Sequence, residues 1–337
     1  MRGERTRLPV WLLLGVVAVL VLLAYYPFAW DPPRMVANDV TRHPGGTLAF
    51  GDHNRARSPG TPDWLPRVRA RQEFEAELVA RPRFPQRHRD TSIMLLADDA
   101  WRTNFGLGQN GSDLVLWLRR GGSSADGGPT FVVPRAFSRG HWTTVRVTVR
   151  HDRLRVTVDG ALRLRSPLAE GSLRTWGEGR LVLGDEVQGG RGWRGELKHA
   201  RVATAGDSVD YLAPGALQVP RRYLHLPEHL APFPPTSDRE WLILGLHLVS
   251  FVPVGLLIAW TRRPPVRPLP TALLALGLAL LLAAGKFLFT DRHAAVADLV
   301  VEFLGALAGG WLAAPLLAWW HPNRPRRHQQ PSIRDTC

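Results

Sequence analysis

Lys286, Asp291, Arg292, Asp298 and Glu302 lie between two strongly apolar runs near the C-terminal end of the chain. Ionisable groups at membrane depth are costly to keep, so they are candidate functional groups. Asp298, Glu302, Gly305 and Gly309 are spaced 0, 4, 7 and 11 residues, which places them on one helix face. Asp298 falls in the first turn, where the helix dipole favours an anion. Glu302 lies about 6 Å deeper at 1.5 Å per residue. Gly305 and Gly309 form a small-xxx-small pair that allows close helix contact. Lys286 is about one turn, and His247 about two turns, below the outer ends of their own apolar runs. The expectation is a membrane polar cluster of His247, Lys286, Arg292, Asp298 and Glu302, with a Lys286–Glu302 ion pair at its centre. Such a pair fixes helix register in the plainest reading. A site for a lipid-linked or envelope substrate, or separate polar groups facing water, are the other readings.

A second set of candidates lies in the middle of the chain. Glu73, Glu75 and Glu77 alternate and so share one strand face. A retaining glycosidase needs two carboxyl groups about 5–5.5 Å apart. The outer two Cα atoms here would be about 13 Å apart at 3.3 Å per residue, so the side chains would have to converge. A solvated strand face is the plainer reading, and no catalytic residue is assigned. Asp98, Asp99 and Asp113, with Asn104 and Asn110, offer oxygen ligands to Ca²⁺; turns are rich in the same residues. Trp101 and Trp193 read as loop residues open to sugar stacking, whereas Trp117 and Trp142 read as core. P-loop, dinucleotide, Gly-x-Ser-x-Gly and His-Glu-x-x-His motifs are absent from the sequence.

The 337 residues carry a net charge of +14, almost all of the basic residues being arginine apart from Lys198 and Lys286. The bias reads as that of a GC-rich bacterial genome. Much of the excess flanks apolar segments, and no nucleic-acid motif accompanies it, so a nucleic-acid partner is not expected. Cys337 is the single cysteine, which excludes an intramolecular disulfide and a cysteine zinc site. It also misses the position a CaaX box requires.

Residues 9–28 are an uncharged run of 20, enough to span a bilayer core of about 30 Å. The run ends in Tyr25, Tyr26, Phe28 and Trp30, an interfacial aromatic belt rather than a signal-peptide cleavage site. Residues 241–260, 270–289 and 298–320 are the further expected spans. Arg2, Arg5 and Arg7 precede the first span. Arg262, Arg263 and Arg267 separate the second and third, and Arg324, Arg326, Arg327 and Arg334 follow the fourth. The 290–297 loop holds Arg292 alone. The positive-inside rule then makes residues 1–8 and the basic tail 321–337 cytoplasmic, and residues 29–239 external or periplasmic. The expected location is the plasma membrane, with the lipid bilayer as a partner.

Between the first two spans the pattern is strand-like. Residues 29–65 read as linker with one short strand at Thr47–Phe50, residues 66–205 as a β-sandwich, and residues 206–239 as a Pro-rich linker. Val145, Val147 and Val149 alternate with Thr144, Arg146, Thr148 and Arg150, and Leu154, Val156 and Val158 alternate with Arg153, Arg155 and Thr157. Asp159-Gly160 is a hairpin signal. The expected fold class is multidomain: an all-β antiparallel jelly-roll sandwich plus an α-helical membrane domain of four transmembrane helices.

The runs EFEAELVARP, NFGLGQNGSDLVLWLR, HWTTVRVTVRHDRLRVTVDG and WRGELKHARVAT, in that order, resemble a laminin-G/concanavalin-A-like jelly roll over residues 66–205. The resemblance implies binding of a glycan or a protein, in some members through Ca²⁺. The membrane half, residues 9–30 and 241–320, resembles the VanZ family through Arg292, Asp298, Gly305 and Gly309. It departs from that family at Glu302, Lys286 and Ala283, where Asn, Gln and Glu are usual. VanZ proteins are linked to glycopeptide resistance, and their chemistry is unsettled, so the resemblance implies no mechanism. The expectation is a membrane-anchored binding protein of the bacterial cell envelope whose jelly roll recognises a glycan or envelope polymer. The alternatives are an envelope-polysaccharide enzyme, working through the jelly roll or through lipid-linked precursors at the helices, and a protein–protein adhesion module.

Overall fold

The computed structural model describes residues 7–84, 86, 90–98, 102–124, 126–187, 189–225, 230–231, 238–262, 267–289 and 294–320. The chain divides into two compact units: residues 1–26, 238–283 and 296–337, and residues 27–237 with 284–295.

The β-rich unit is a two-sheet antiparallel jelly roll. The larger sheet has eight strands: β2 (Thr41–Arg42), β3 (Leu48–Phe50), β5 (Phe74–Pro82), β10 (Thr143–Arg150), β11 (Arg153–Val158), β12 (Ala161–Pro167), β14 (Gly195–Thr204) and β15 (Asp207–Asp210). Their order is β12-β11-β10-β5-β14-β3-β2, with β15 paired to β14. The smaller sheet has β4 (Ala56–Arg57), β6 (Thr91–Ala97), β7 (Thr103–Asn110), β8 (Asp113–Leu118), β9 (Phe131–Val133) and β13 (Arg180–Leu183), ordered β4-β13-β6-β7-β8-β9.

The period-2 pattern explains the large sheet. Phe74, Ala76, Leu78 and Ala80 point inward from β5, as do Val145, Val147 and Val149 from β10 and Leu154, Val156 and Val158 from β11. Phe74 is the aromatic centre, with its ring 4.7 Å from Phe105, 5.0 Å from Trp176 and 5.9 Å from Trp64. The small sheet is different. β6 is buried at every position, and so is nearly all of β7 and β8. Gly106 and Gly108 make this possible, because a Cβ at Gly108 would lie 2.5 Å from the Trp117 ring. The absent side chains leave room for the indole to lie on the sheet. The outer face of the small sheet is therefore closed, while that of the large sheet stays polar and open.

Two segments that read as linkers are ordered. Arg34–Ala37 (β1) pairs antiparallel with Arg222–His225 (β16). Leu230–Ala231 (β17) pairs in parallel with Ala294–Ala295 (β18). Leu65–Arg71 forms a short helix, α2, with proline in its first turn and Gln72 closing it in the left-handed conformation. It is too short to show a helical period in the sequence.

The helical unit holds α1 (Arg7–Tyr25), α3 (Asp238–Thr261), most of α4 (Pro268–Lys286) and α5 (Val296–Trp320). All four helices are long and apolar enough to cross a membrane. α3 and α5 pack through glycines. A Cβ at Gly255 would lie 2.1 Å from the Ala306 carbonyl oxygen, one at Gly305 2.1 Å from that of Leu248, and one at Gly309 2.0 Å from that of Val252. Phe251, Val254 and Ala306 fill the seam, and Leu13, Val16, Leu20 and Val21 of α1 pack against the same cluster.

Candidate functional site

The open face of the large sheet carries a groove of about 740 Å³. Its lining is Glu75 of β5, alternate residues of β10 and β11, and the turns His151 and Gly160. Register sets which side chains stand in a row. Glu75, Thr148, Arg155 and Arg165 lie side by side across β5, β10, β11 and β12. Arg201, Glu77, Arg146 and Thr157 form the next row, and Arg150 faces Arg153 at the hairpin end. Residues facing one another this way have Cβ atoms about 5 Å apart.

The two carboxylates are already matched. Arg146 lies 2.7 Å from Glu77 and 3.9 Å from Glu75, and Arg201 lies 3.3 Å from Glu75 and 3.5 Å from Glu77. The hydrogen bond and charge of Glu77 hold the Arg146 guanidinium above its ordinary value. Glu75 and Glu77 thus sit in a four-membered ion cluster, and Glu73 precedes the strand. By contrast, Arg150, Arg153 and Arg155 are exposed and make no ion pair among the described residues.

Other predicted residues are placed differently. Trp193, expected in an open loop, is fully buried. Its Nε1 donates to Gln109 Oε1 at 2.8 Å and its ring lies 5.7 Å from Phe50, so it has no face for a sugar. Trp101, Asp99, Asp291 and Arg292 lie outside the described residues. Asp98 pairs with Arg102 at 3.2 Å, and Asp113 Oδ1 accepts the Arg135 backbone N–H at 2.8 Å. Asn104 accepts from and donates to the Gly177 backbone, and Asn110 donates to Asp90. Among the described residues no group of three His, Cys, Asp or Glu could hold a metal ion.

In the helical unit His247 joins the carboxylates. Its Nδ1 is 2.7 Å from Glu302 Oε1, and its Nε2 is 4.0 Å from Asp298 Oδ2. Glu302 is buried, and it shares its helix face with Gly305 and Gly309. Lys286 ends α4 and is grouped with the β-rich unit.

A buried polar cluster in the β-rich unit has no counterpart in the sequence reading. Asp31 is 3.1 Å from His225 Nε2 and also pairs with Arg34. The His225 and His53 rings are 5.1 Å apart. Asp185, wholly buried, accepts the backbone N–H groups of Glu186 and Arg191 at 2.8 and 2.9 Å. Burial pushes its carboxyl up to about 7. Partners 194 residues apart leave no spacing signal. The basic face was visible as Arg alternating with Val and Leu, though not as a site.

Residues 81–205 match the Concanavalin A-like lectin/glucanases superfamily. No match to the VanZ family is found. No curated protein matches the chain. Among solved structures, a CBM40 domain of a Ruminococcus gnavus sialidase bound to α2,3-sialyllactose is 12% identical, with 46% of this chain and 89% of that one covered, at a TM-score of 0.35. A domain of an extracellular arabinanase from Geobacillus stearothermophilus, in complex with arabinotriose, is 14% identical, with 51% and 82% covered, at 0.35. A pentraxin from Limulus polyphemus is 17% identical, with 51% and 75% covered, at 0.33.

Proposed function

We propose that this is a membrane-anchored binding protein of the cell envelope, whose jelly roll takes a glycan or envelope polymer in the groove of its large sheet. One observation carries the reading: the small sheet is closed by Trp117 and its neighbours, whereas the large sheet offers an open, polar groove built from rigid strands. The lectin/glucanase match over residues 81–205 supports a sugar ligand. The four helices serve as the anchor, with both termini cytoplasmic and residues 29–239 external by the arginine distribution. A VanZ-like role for the helices rests on Asp298, Gly305, Gly309 and Arg292 alone, and the His247–Glu302 pair is read as a register-fixing contact.

The test is direct. Full-length protein in detergent micelles is passed over immobilised β-glucans and envelope glycans, and both retention and reducing ends are measured. Retention without cleavage is expected. Cleavage that disappears in Glu77→Gln would reassign the groove to a hydrolase. Failure to retain any glycan would sink the reading in favour of a protein-adhesion surface.

A further inference from the structure

The arginines of the groove point to the chemical class of its occupant. Glu75 and Glu77 are neutralised by Arg146 and Arg201 within one cluster. What sets the charge of the face is therefore the remainder: Arg150, Arg153, Arg155 and Arg165, which make no ion pair among the described residues. Cross-strand register packs them together, Arg150 opposite Arg153 and Arg155 opposite Arg165. Like charges directly opposite one another on a sheet destabilise it. Four guanidiniums held at that spacing with no carboxylate between them are stabilised when an external anion bridges them.

The chemistry of the lining narrows the anion. A guanidinium presents a planar fork that matches a carboxylate, sulfate or phosphate bidentately. Thr144, Thr148 and Thr157 interleave with the arginines and supply hydroxyls that both donate and accept, as sugar hydroxyls require. No Trp, Tyr or Phe lines the groove among the described residues. Neutral ligands depend on apolar and aromatic linings, and single-stranded nucleic acid on aromatic stacking. The basic side chains line a depression of about 740 Å³, which fits a polymer chain better than the flat surface of a bilayer.

We propose that the groove binds an acidic polysaccharide, whose regularly spaced anionic groups are held by Arg150, Arg153 and Arg155 of its lining and by Arg165 on the neighbouring strand beside it. This rests on the reading of the same groove as a glycan site and adds its ligand class. The anion could be a uronate carboxylate or a backbone phosphodiester, and the experiment separates these.

Full-length protein in zwitterionic nanodiscs is titrated with polygalacturonate, with a poly(glycerol phosphate) and with neutral dextran, at low and high salt. The Arg153→Gln/Arg155→Gln double variant is compared with Arg139→Gln, an exposed arginine outside the groove lining. Acidic polymer should bind, weaken with salt, and lose about tenfold or more in the double variant, which removes two of the guanidiniums that would pair with its anionic groups. Arg139→Gln should bind as wild type. Whichever acidic polymer binds more tightly names the anion. Equal, salt-insensitive binding of dextran would overturn the acidic class and leave the glycan reading standing, as would full affinity in the double variant. Binding of duplex or single-stranded DNA, or of anionic vesicles, with no polysaccharide bound, would overturn both.

Discussion

Asp185 sets the pH response of the β-rich unit. It is wholly buried, and its two backbone N–H partners and the positive field of Arg55 do not offset the cost of burying its charge. Burial therefore raises its carboxyl to about 7. The unfolded chain releases that proton near 4. Between about pH 4 and about pH 7 the folded state holds a proton the unfolded state has lost, so stability falls as pH rises across that window. Asp31 acts in the opposite sense and lower down. Burial works against its ionisation, but the hydrogen bonds and charges of His225 and Arg34 outweigh it and hold its carboxyl below the usual range. Its contribution is lost only as pH falls through that depressed value. Asp185→Asn keeps the Oδ1 acceptor and removes the titration. Thermal melts from pH 5 to 7.5 should show the wild-type midpoint declining, with a free-energy change of a few kcal/mol at most, while the variant stays level. A wild-type profile flat across this range would refute the burial argument. None of this was legible in the sequence, where Asp185 stands in a Gly-rich turn. Asp298 and Glu302 stand out in the sequence, because a charge inside an apolar run is conspicuous without any partner being known.

At the scale of elements, local signals were read and non-local pairings were not. The alternation of β5, β10 and β11 is periodic within each strand, so their faces can be assigned from sequence alone. β1 and β16 are nearly two hundred residues apart, and each is four residues long between prolines. Such segments pass for linker because their pairing partner supplies the order. Trp193 shows the same limit: it stands between Gly192 and Gly195, which suit a loop, but Gly195 serves to admit the indole, since a Cβ there would lie 2.4 Å from the ring. In the helical unit the close approach of α3 and α5 depends on Gly255, Gly305 and Gly309, each facing a carbonyl oxygen of the other helix. Gly309→Ala must push the helices apart, so the protein should lose about 1–3 kcal/mol, read as an earlier loss of solubility on heating in detergent. Gly245→Ala and Gly277→Ala, where a methyl meets nothing within 4 Å, should melt as wild type or slightly later. Equal behaviour of the three variants would show that the seam tolerates a side chain.

The whole molecule divides its arginines between two tasks. One group flanks the apolar helices and the other covers a sheet. Composition alone merges them into a single basic chain. Only the register of β10, β11 and β12 separates a clustered basic sheet face from a topology signal, which is why the excess of arginine was legible in the sequence and its grouping on one face was not. The topology assignment has its own consequence. The proposed topology, with the arginine-rich segments of all four spans cytoplasmic, puts Cys337 in the cytoplasm and Ser138, an exposed residue of the β-rich unit, outside. A membrane-impermeant maleimide added to intact spheroplasts should leave the native protein unlabelled, because Cys337 is its only thiol. Permeabilisation should expose it. Ser138→Cys in a Cys337→Ser background should give the reverse, with full labelling of intact spheroplasts. Labelling of both positions from the same side would require an even number of crossings between them. Since residues 138 and 337 are separated by three of the four apolar helices, that result would mean one of the three does not span, and Lys286, at the end of α4, marks the helix to examine first.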